Sequence, residues 1–255
     1  MNFKSFPRRV AASCCCVRHY AIFSENSRTV VMIITAILVS FAMAMAWFRL
    51  PNIEMHDAFA ALDGTHSPSI WRQRHLVLAV VAIFVYVGAE VSIGSFLVNY
   101  LSQPYIGGMT EKTAAGYVTF YWGGAMIGRF AGVAITRKVR ASAVLSVAGV
   151  LACGLVVTSI FSFGHLAMWS LILVGLFNSI MWPCIFALGL AELGSLTNMG
   201  SSLLVSAVIG GAIIPLVQGF AADHIGIHHA FFLPAVCYVY ICFYGLKGSK
   251  VRIVA

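Results

Sequence analysis

The sequence predicts an all-α, polytopic membrane protein with about seven transmembrane helices, and three observations carry that prediction. Of 255 residues, 60% are apolar and only 9% are charged. Mean hydropathy is +0.92. The apolar residues gather in long runs, with none of the short alternating segments that a closed barrel would show. A soluble domain carries roughly a quarter charged residues, because water must wet its surface. Sixteen Lys+Arg and eight Asp+Glu cannot clothe a globule of this size. A secreted disulfide scaffold, a nucleic-acid binder and an ordinary soluble enzyme are therefore excluded. The net charge of +8 lies between the apolar runs rather than in one patch, so it does not indicate nucleic acid.

Residues 1–28 form a basic leader containing Lys4, Arg8, Arg9, Arg18 and Arg28. A signal peptide needs an apolar core, and Arg18 and His19 interrupt the stretch too early. Ala12-Ser13-Cys14 is similar to a lipoprotein cleavage site, and Cys14, Cys15 and Cys16 are palmitoylation candidates. A disordered leader is the simpler reading and the preferred one. The other four of the seven cysteines, Cys153, Cys184, Cys237 and Cys242, fall inside apolar runs, where a thiol behaves as a small hydrophobe.

About 20 residues at 1.5 Å each cross a hydrocarbon core roughly 30 Å thick. Seven runs qualify: Thr29–Phe48, Leu76–Leu101, Lys112–Ile135, Ala141–Phe163, His165–Glu192, Met199–Ala222 and His229–Leu246. The bilayer offers no water to backbone groups, so each run must be a helix. The chain then divides into the leader, a first membrane helix over 29–50, a polar linker over 51–74 and a six-helix bundle with a short tail over 75–255. Asp63-Gly64 and Ser67-Pro68 mark the linker, and every other connection is short enough to force neighbouring helices antiparallel.

Loop cations set the orientation. With the linker in the cytoplasm, that side collects Arg49, Arg72, Arg74, Arg137, Lys138, Arg140, Lys247, Lys250 and Arg252, against Lys112 opposite. The C-terminus is then cytoplasmic. The leader's own cations fall on the wrong side, so the leader does not fit the scheme that the last six helices obey.

Inside the membrane, Glu90 is the most informative residue. An acid at mid-span is tolerated only when protonated or facing a cavity, a partner or water. Tyr86, Glu90 and Gly94, spaced i, i+4, i+8, share one helix face. Glu90 is a substrate acceptor or proton carrier on one reading and neutral glue between helices on the other. The third run holds Tyr121 and Trp122, whose flat faces suit sugar C–H surfaces or ordinary packing. It also holds Gly124, Gly128 and Gly132, read as close-packing positions. Arg129 is read as a conformational latch or snorkelling anchor. In the fifth run, Pro183 frees the Ser179 carbonyl, with Asn178 and Trp182 spaced i, i+4 beside it. The sixth run repeats the device with Gly210-Gly211, Pro215 and Gln218. Two interrupted helices with embedded amides point to a transporter's central cavity. No His-Glu-x-x-His, phosphate-binding glycine loop, Ser/His/Asp arrangement or dinucleotide fingerprint is present. His224 and His228 have metal-ligand spacing, but Gly226 between them argues for a turn. The reading has no catalytic residue, no metal and no enzyme.

These residues carry a resemblance. The stretches Tyr86–Asn99, Trp122–Phe130, Gly175–Met181, Gly210–Gly219 and Phe243–Lys250 resemble, in order, the bacterial glucose/galactose transporters of the fucose–proton symporter family, within the major facilitator superfamily. Trp182-Pro183-Cys184 departs from the family's smaller aromatic and Thr. The resemblance implies twelve helices in two six-helix bundles, of which this chain corresponds to the sixth helix, the central loop and the C-terminal bundle, without the first five helices. It implies secondary transport of hexose across a bacterial inner membrane, coupled to a proton or sodium gradient and with no bound cofactor. Glu90, Asn99, Tyr121, Trp122, Asn178, Trp182 and Gln218 would line half the sugar site, and Arg129, Pro183 and Pro215 would serve gating. The implied partners are the lipid bilayer, a monosaccharide, and a separately encoded N-terminal half or a second copy. The alternative is a truncated, non-transporting remnant or a sensing or interaction subunit.

Overall fold

A computed structural model describes residues 32–33, 35–41, 43 and 70–250. The chain divides into two compact units, Met1–Met55 and His56–Ala255. In the first unit the described residues are helical and lie within the expected Thr29–Phe48 span. The leader and the linker up to residue 69 lie outside the described residues.

Among its described residues the second unit contains six rods: α1 (Arg74–Leu101), α2 (Glu111–Thr136), α3 (Ala141–Phe161), α4 (Gly164–Leu190), α5 (Gly194–Ile225) and α6 (Ile227–Gly248). Each falls within a few residues of its predicted run, with α5 extending furthest beyond it. All but α2 are long and apolar enough to cross a membrane. At 26 residues α2 has the length, but Glu111, Lys112, Arg129 and its glycines make it more polar than its neighbours. It packs against α4 and α1 along Ala114, Tyr121, Ala125, Gly128 and Gly132 and leaves most of its other residues exposed.

Local chemistry sets the breaks. Thr110 caps α2 through its side-chain oxygen, which accepts from the Thr113 amide, and Glu111 occupies the positive first turn. Gly226, at φ 82°, ends α5 and starts α6. That turn separates His224 from His228, as expected: His224 Nδ1 lies 2.8 Å from the Phe220 carbonyl, and His228 Nε2 lies 2.7 Å from that of Ile160. The α5 rod is interrupted by a 3-10 turn at Ala207–Ile209, immediately before Gly210-Gly211. The α6 rod ends in a wide π turn, Tyr244–Gly248, closed by Ser249 N–H donating to the Tyr244 carbonyl at 2.8 Å.

Packing follows from small residues. A β-carbon on Gly128 would meet the Leu176 carbonyl of α4, and one on Gly132 would lie 2.7 Å from the Ile180 side chain. The predicted packing role of these glycines is what the helices use. Between α1 and α5, Gly210 lies against the Phe84 carbonyl and Gly88 against Ile214. That register makes α1 and α5 parallel. Rods α3 and α6 pack against each other and α6 also packs on α1, so α1 sits centrally. Among the five spans apolar enough to cross a membrane, α5 is the least covered: 22% of its most apolar window is buried, against 56% for α4.

Candidate functional site

Three rods supply the polar wall of a cavity of about 500 Å³, which Ala141 of α3 also lines. Its wall takes Tyr86 and Glu90 from α1, Arg129 and Thr136 from α2, and Ser179, Trp182 and Pro183 from α4. One helical turn separates Tyr86 from Glu90, and both side chains line the cavity. Arg129 lines the same cavity from α2. The Trp182 ring stacks on Phe186, with centroids 5.0 Å apart and planes within 20°, which fixes one face of the indole. This arrangement offers a carboxylate acceptor, a guanidinium donor, small hydroxyls and a fixed aromatic plate. Such mixed polar and apolar walls, at roughly 300–1,000 Å³, are usual for small-molecule sites.

A second polar layer lies behind the first and is closed. Asn178 donates through Nδ2 to the Tyr121 hydroxyl at 2.9 Å and accepts at Oδ1 from the Tyr238 hydroxyl at 2.7 Å. The Tyr121 hydroxyl in turn donates to the Glu90 backbone carbonyl at 3.4 Å. Tyr121, Asn178 and Tyr238 are fully buried, and the three hydroxyl and amide groups occupy one another. The network ties α1, α2, α4 and α6 at the level of Glu90.

The structure therefore brings Glu90, Arg129, Trp182 and Pro183 to one cavity, while Tyr121 and Asn178 sit behind it. Trp122 is half-exposed, edge-on to Tyr121, with its Cζ2 3.4 Å from where a β-carbon on Gly94 would lie. It is not on the cavity wall. Asn99 is exposed in the last turn of α1, its carbonyl accepting from Gln103 Nε2 at 3.2 Å. Gln218 is fully buried with neither amide atom bonded, and Ser92 Oγ is likewise buried and unbonded. The α1–α5 register that pairs Gly88 with Ile214 puts Ser92 and Gln218 at one level. Pro215 lies within α5 one turn below them. Sequence reasoning missed Tyr238, Thr136 and the Ser179 side chain. A tyrosine in mid-span needs a hydrogen-bond partner, which was the available signal for Tyr238. Among the described residues, no group of three His, Cys, Asp or Glu is placed to hold a metal ion.

No family model matches the chain, but individual proteins do. It is 50% identical over 209 residues to the glucose/galactose transporter of Brucella abortus biovar 1, covering 82% of this chain and 50% of that one. It is 36% identical over 237 residues to the L-fucose-proton symporter of Escherichia coli K12, covering 91% and 53%. The crystal structure of FucP, a major facilitator superfamily transporter in the outward conformation, matches with a TM-score of 0.76 at 33% identity. That match covers 97% of this chain and 59% of that one. Over about half of their length the chain is homologous to these major facilitator transporters. It spans about half the length of the curated relatives it matches. Its relatives in the family are transporters, not enzymes, and its spans make it a multi-pass membrane protein.

Proposed function

We propose that the chain supplies the C-terminal half of a secondary hexose transporter: the family's sixth helix, the central loop and the second six-helix bundle. The observation that carries this reading is Glu90 facing a cavity it shares with Arg129 and Trp182, in a chain 50% identical to a glucose/galactose transporter. Mid-span acids are costly and mark substrate or proton paths. A carboxylate accepts from neighbouring sugar hydroxyls, the guanidinium donates to them, and the indole plate packs on the ring's C–H face. Glucose, galactose or a fucose-like sugar is the substrate.

Glu90 is the proposed proton carrier. Coupling to protons accords with the name of the Escherichia coli relative, and no relative speaks for sodium. The basic end of the bundle, with Arg72, Arg74, Arg137, Lys138, Arg140, Lys247 and Lys250, faces the cytoplasm of a bacterial inner membrane. Alternating access rocks one bundle against another, so transport requires a separately encoded N-terminal half or a second copy. In that motion Arg129 latches, and the backbone freed at Pro183 and Pro215 bends. Trp122, Asn99 and Gln218 lie beyond the cavity wall and contribute to the sugar path only in the assembled pair.

The second reading is a non-transporting remnant or a sensing or interaction subunit. Radiolabelled glucose and galactose uptake separates the two. The chain is expressed in transport-deficient cells alone, and together with the complementary half of the Brucella abortus relative. Uptake by the pair, lost on Glu90→Gln, supports half-site transport. Uptake by the chain alone assigns the second copy as partner. No uptake in either case, with both proteins in the membrane, leaves the remnant reading.

A further inference from the structure

The basic end of the bundle holds a second cavity, of about 560 Å³, distinct from the Glu90 site. Arg72 and Arg74 at the start of α1 line it together with Lys247 and Lys250 at the end of α6, and among the described residues no acid lines it. All four cations are exposed. The α1 N-terminus adds to the field, because this 28-residue helix has no acid in its first turn and no side-chain cap at Gln73. The other part of the wall is apolar: half-buried Leu78 and Phe243, the latter 45% exposed. Beside it, Trp71 is 70% exposed, the position of an indole at a membrane–water interface.

The fold builds this cavity deliberately close. Tyr240 donates to the Leu78 carbonyl at 3.2 Å. A β-carbon on Gly248 would lie 2.9 Å from Tyr244 Cδ2 and 3.4 Å from Leu78 Cδ1. The π turn at Tyr244–Gly248 therefore presses the end of α6 onto the start of α1 and sets Lys247 and Lys250 opposite the arginines.

We propose that this cavity binds the phosphate headgroup of an anionic phospholipid, with its glycerol and upper acyl carbons on Leu78 and Phe243. Four converging cations select an anion, and the arginine forks suit phosphate oxygens. The apolar wall and the neighbouring Trp71 place that anion on an amphiphile rather than on a free solute. The site is independent of the sugar-transport reading.

The test is native mass spectrometry of the full chain in neutral detergent, titrated with phosphatidylglycerol, phosphatidylcholine or inorganic phosphate. Phosphatidylglycerol should bind saturably and phosphatidylcholine should not. Each removed charge should weaken binding roughly five-fold. The Lys247→Gln/Lys250→Gln variant, which leaves α1 untouched, should thus lose about 25-fold. Adding Arg72→Gln and Arg74→Gln should abolish saturable binding. The control is Arg137→Gln/Lys138→Gln/Arg140→Gln, which removes cations of the same end outside the cavity and should leave binding unchanged. Equal loss in the control and cavity variants would reduce the effect to bulk charge and overturn the proposal. Displacement of the lipid by inorganic phosphate at comparable concentration would overturn it in favour of a soluble phosphate ligand.

Discussion

Two polar layers cross the bundle at the depth of Glu90, and they differ in whether their hydrogen-bonding capacity is spent. Behind, Tyr121, Asn178 and Tyr238 are fully buried and saturate one another. In front, Glu90, Arg129 and Trp182 share an open wall on which a carboxyl group and a guanidinium keep free capacity. Both layers contain the residue types that sugar sites use. The difference separates a frame from a site: a polar group whose partners are all internal holds helices in place, and one with spare valence can hold a guest.

That contrast can be broken from either side. The largest effect is expected at Gly128, where α2 meets the α4 backbone beside both layers. Gly128→Leu forces the Leu176 carbonyl away and should cost about 3 kcal/mol or more, read as loss of folded protein in a graded detergent-unfolding titration. Asn178→Ala comes next, because it strands the Tyr238 hydroxyl in a dry interior and removes the donor to the Tyr121 oxygen. A destabilisation of about 1–3 kcal/mol is expected in the same assay. Tyr238→Phe removes one bond and should cost about 0.5–1.5 kcal/mol, with the sugar affinity of the reconstituted pair unchanged. Glu90→Gln should alter stability least, by under about 1 kcal/mol. Yet it should weaken sugar binding roughly ten-fold or more, the loss of a charged hydrogen bond. A Glu90→Gln variant that unfolds easily while binding normally would merge the two layers into one frame.

Helix positions were legible because lipid leaves one solution for a long apolar run: the predicted Leu76–Leu101 run is α1 with two residues added at its start. Glu90, Arg129, Trp182 and Pro183 were legible as informative residues because charge and proline are conspicuous in such runs. Which of the embedded polar groups share a wall was not. Asn99 is nine residues from Glu90, and at about 100° per residue it lies on the opposite side of α1. Asn178 and Trp182 share an i, i+4 spacing, but the remaining offset of roughly 40° turns the amide to the interior and leaves the ring on the cavity. Tyr238 carried the signal of a mid-span hydroxyl that needs a partner, but that partner, Asn178, is 60 residues away, so the pairing was not legible. The polar character of α2 was visible in its composition, but length alone had placed it with the other spans.

The glycine seams have a genetic corollary. Every base change that replaces one of these glycines adds at least a methyl group, and at Gly88, Gly128 and Gly210 there is no room for one. Spontaneous missense lesions at those three codons should therefore inactivate the protein whichever amino acid they introduce. A saturation library scored for membrane-inserted product would show them as empty columns, while the columns for Gly116, Gly123 and Gly154, where a β-carbon meets nothing, fill with substitutions.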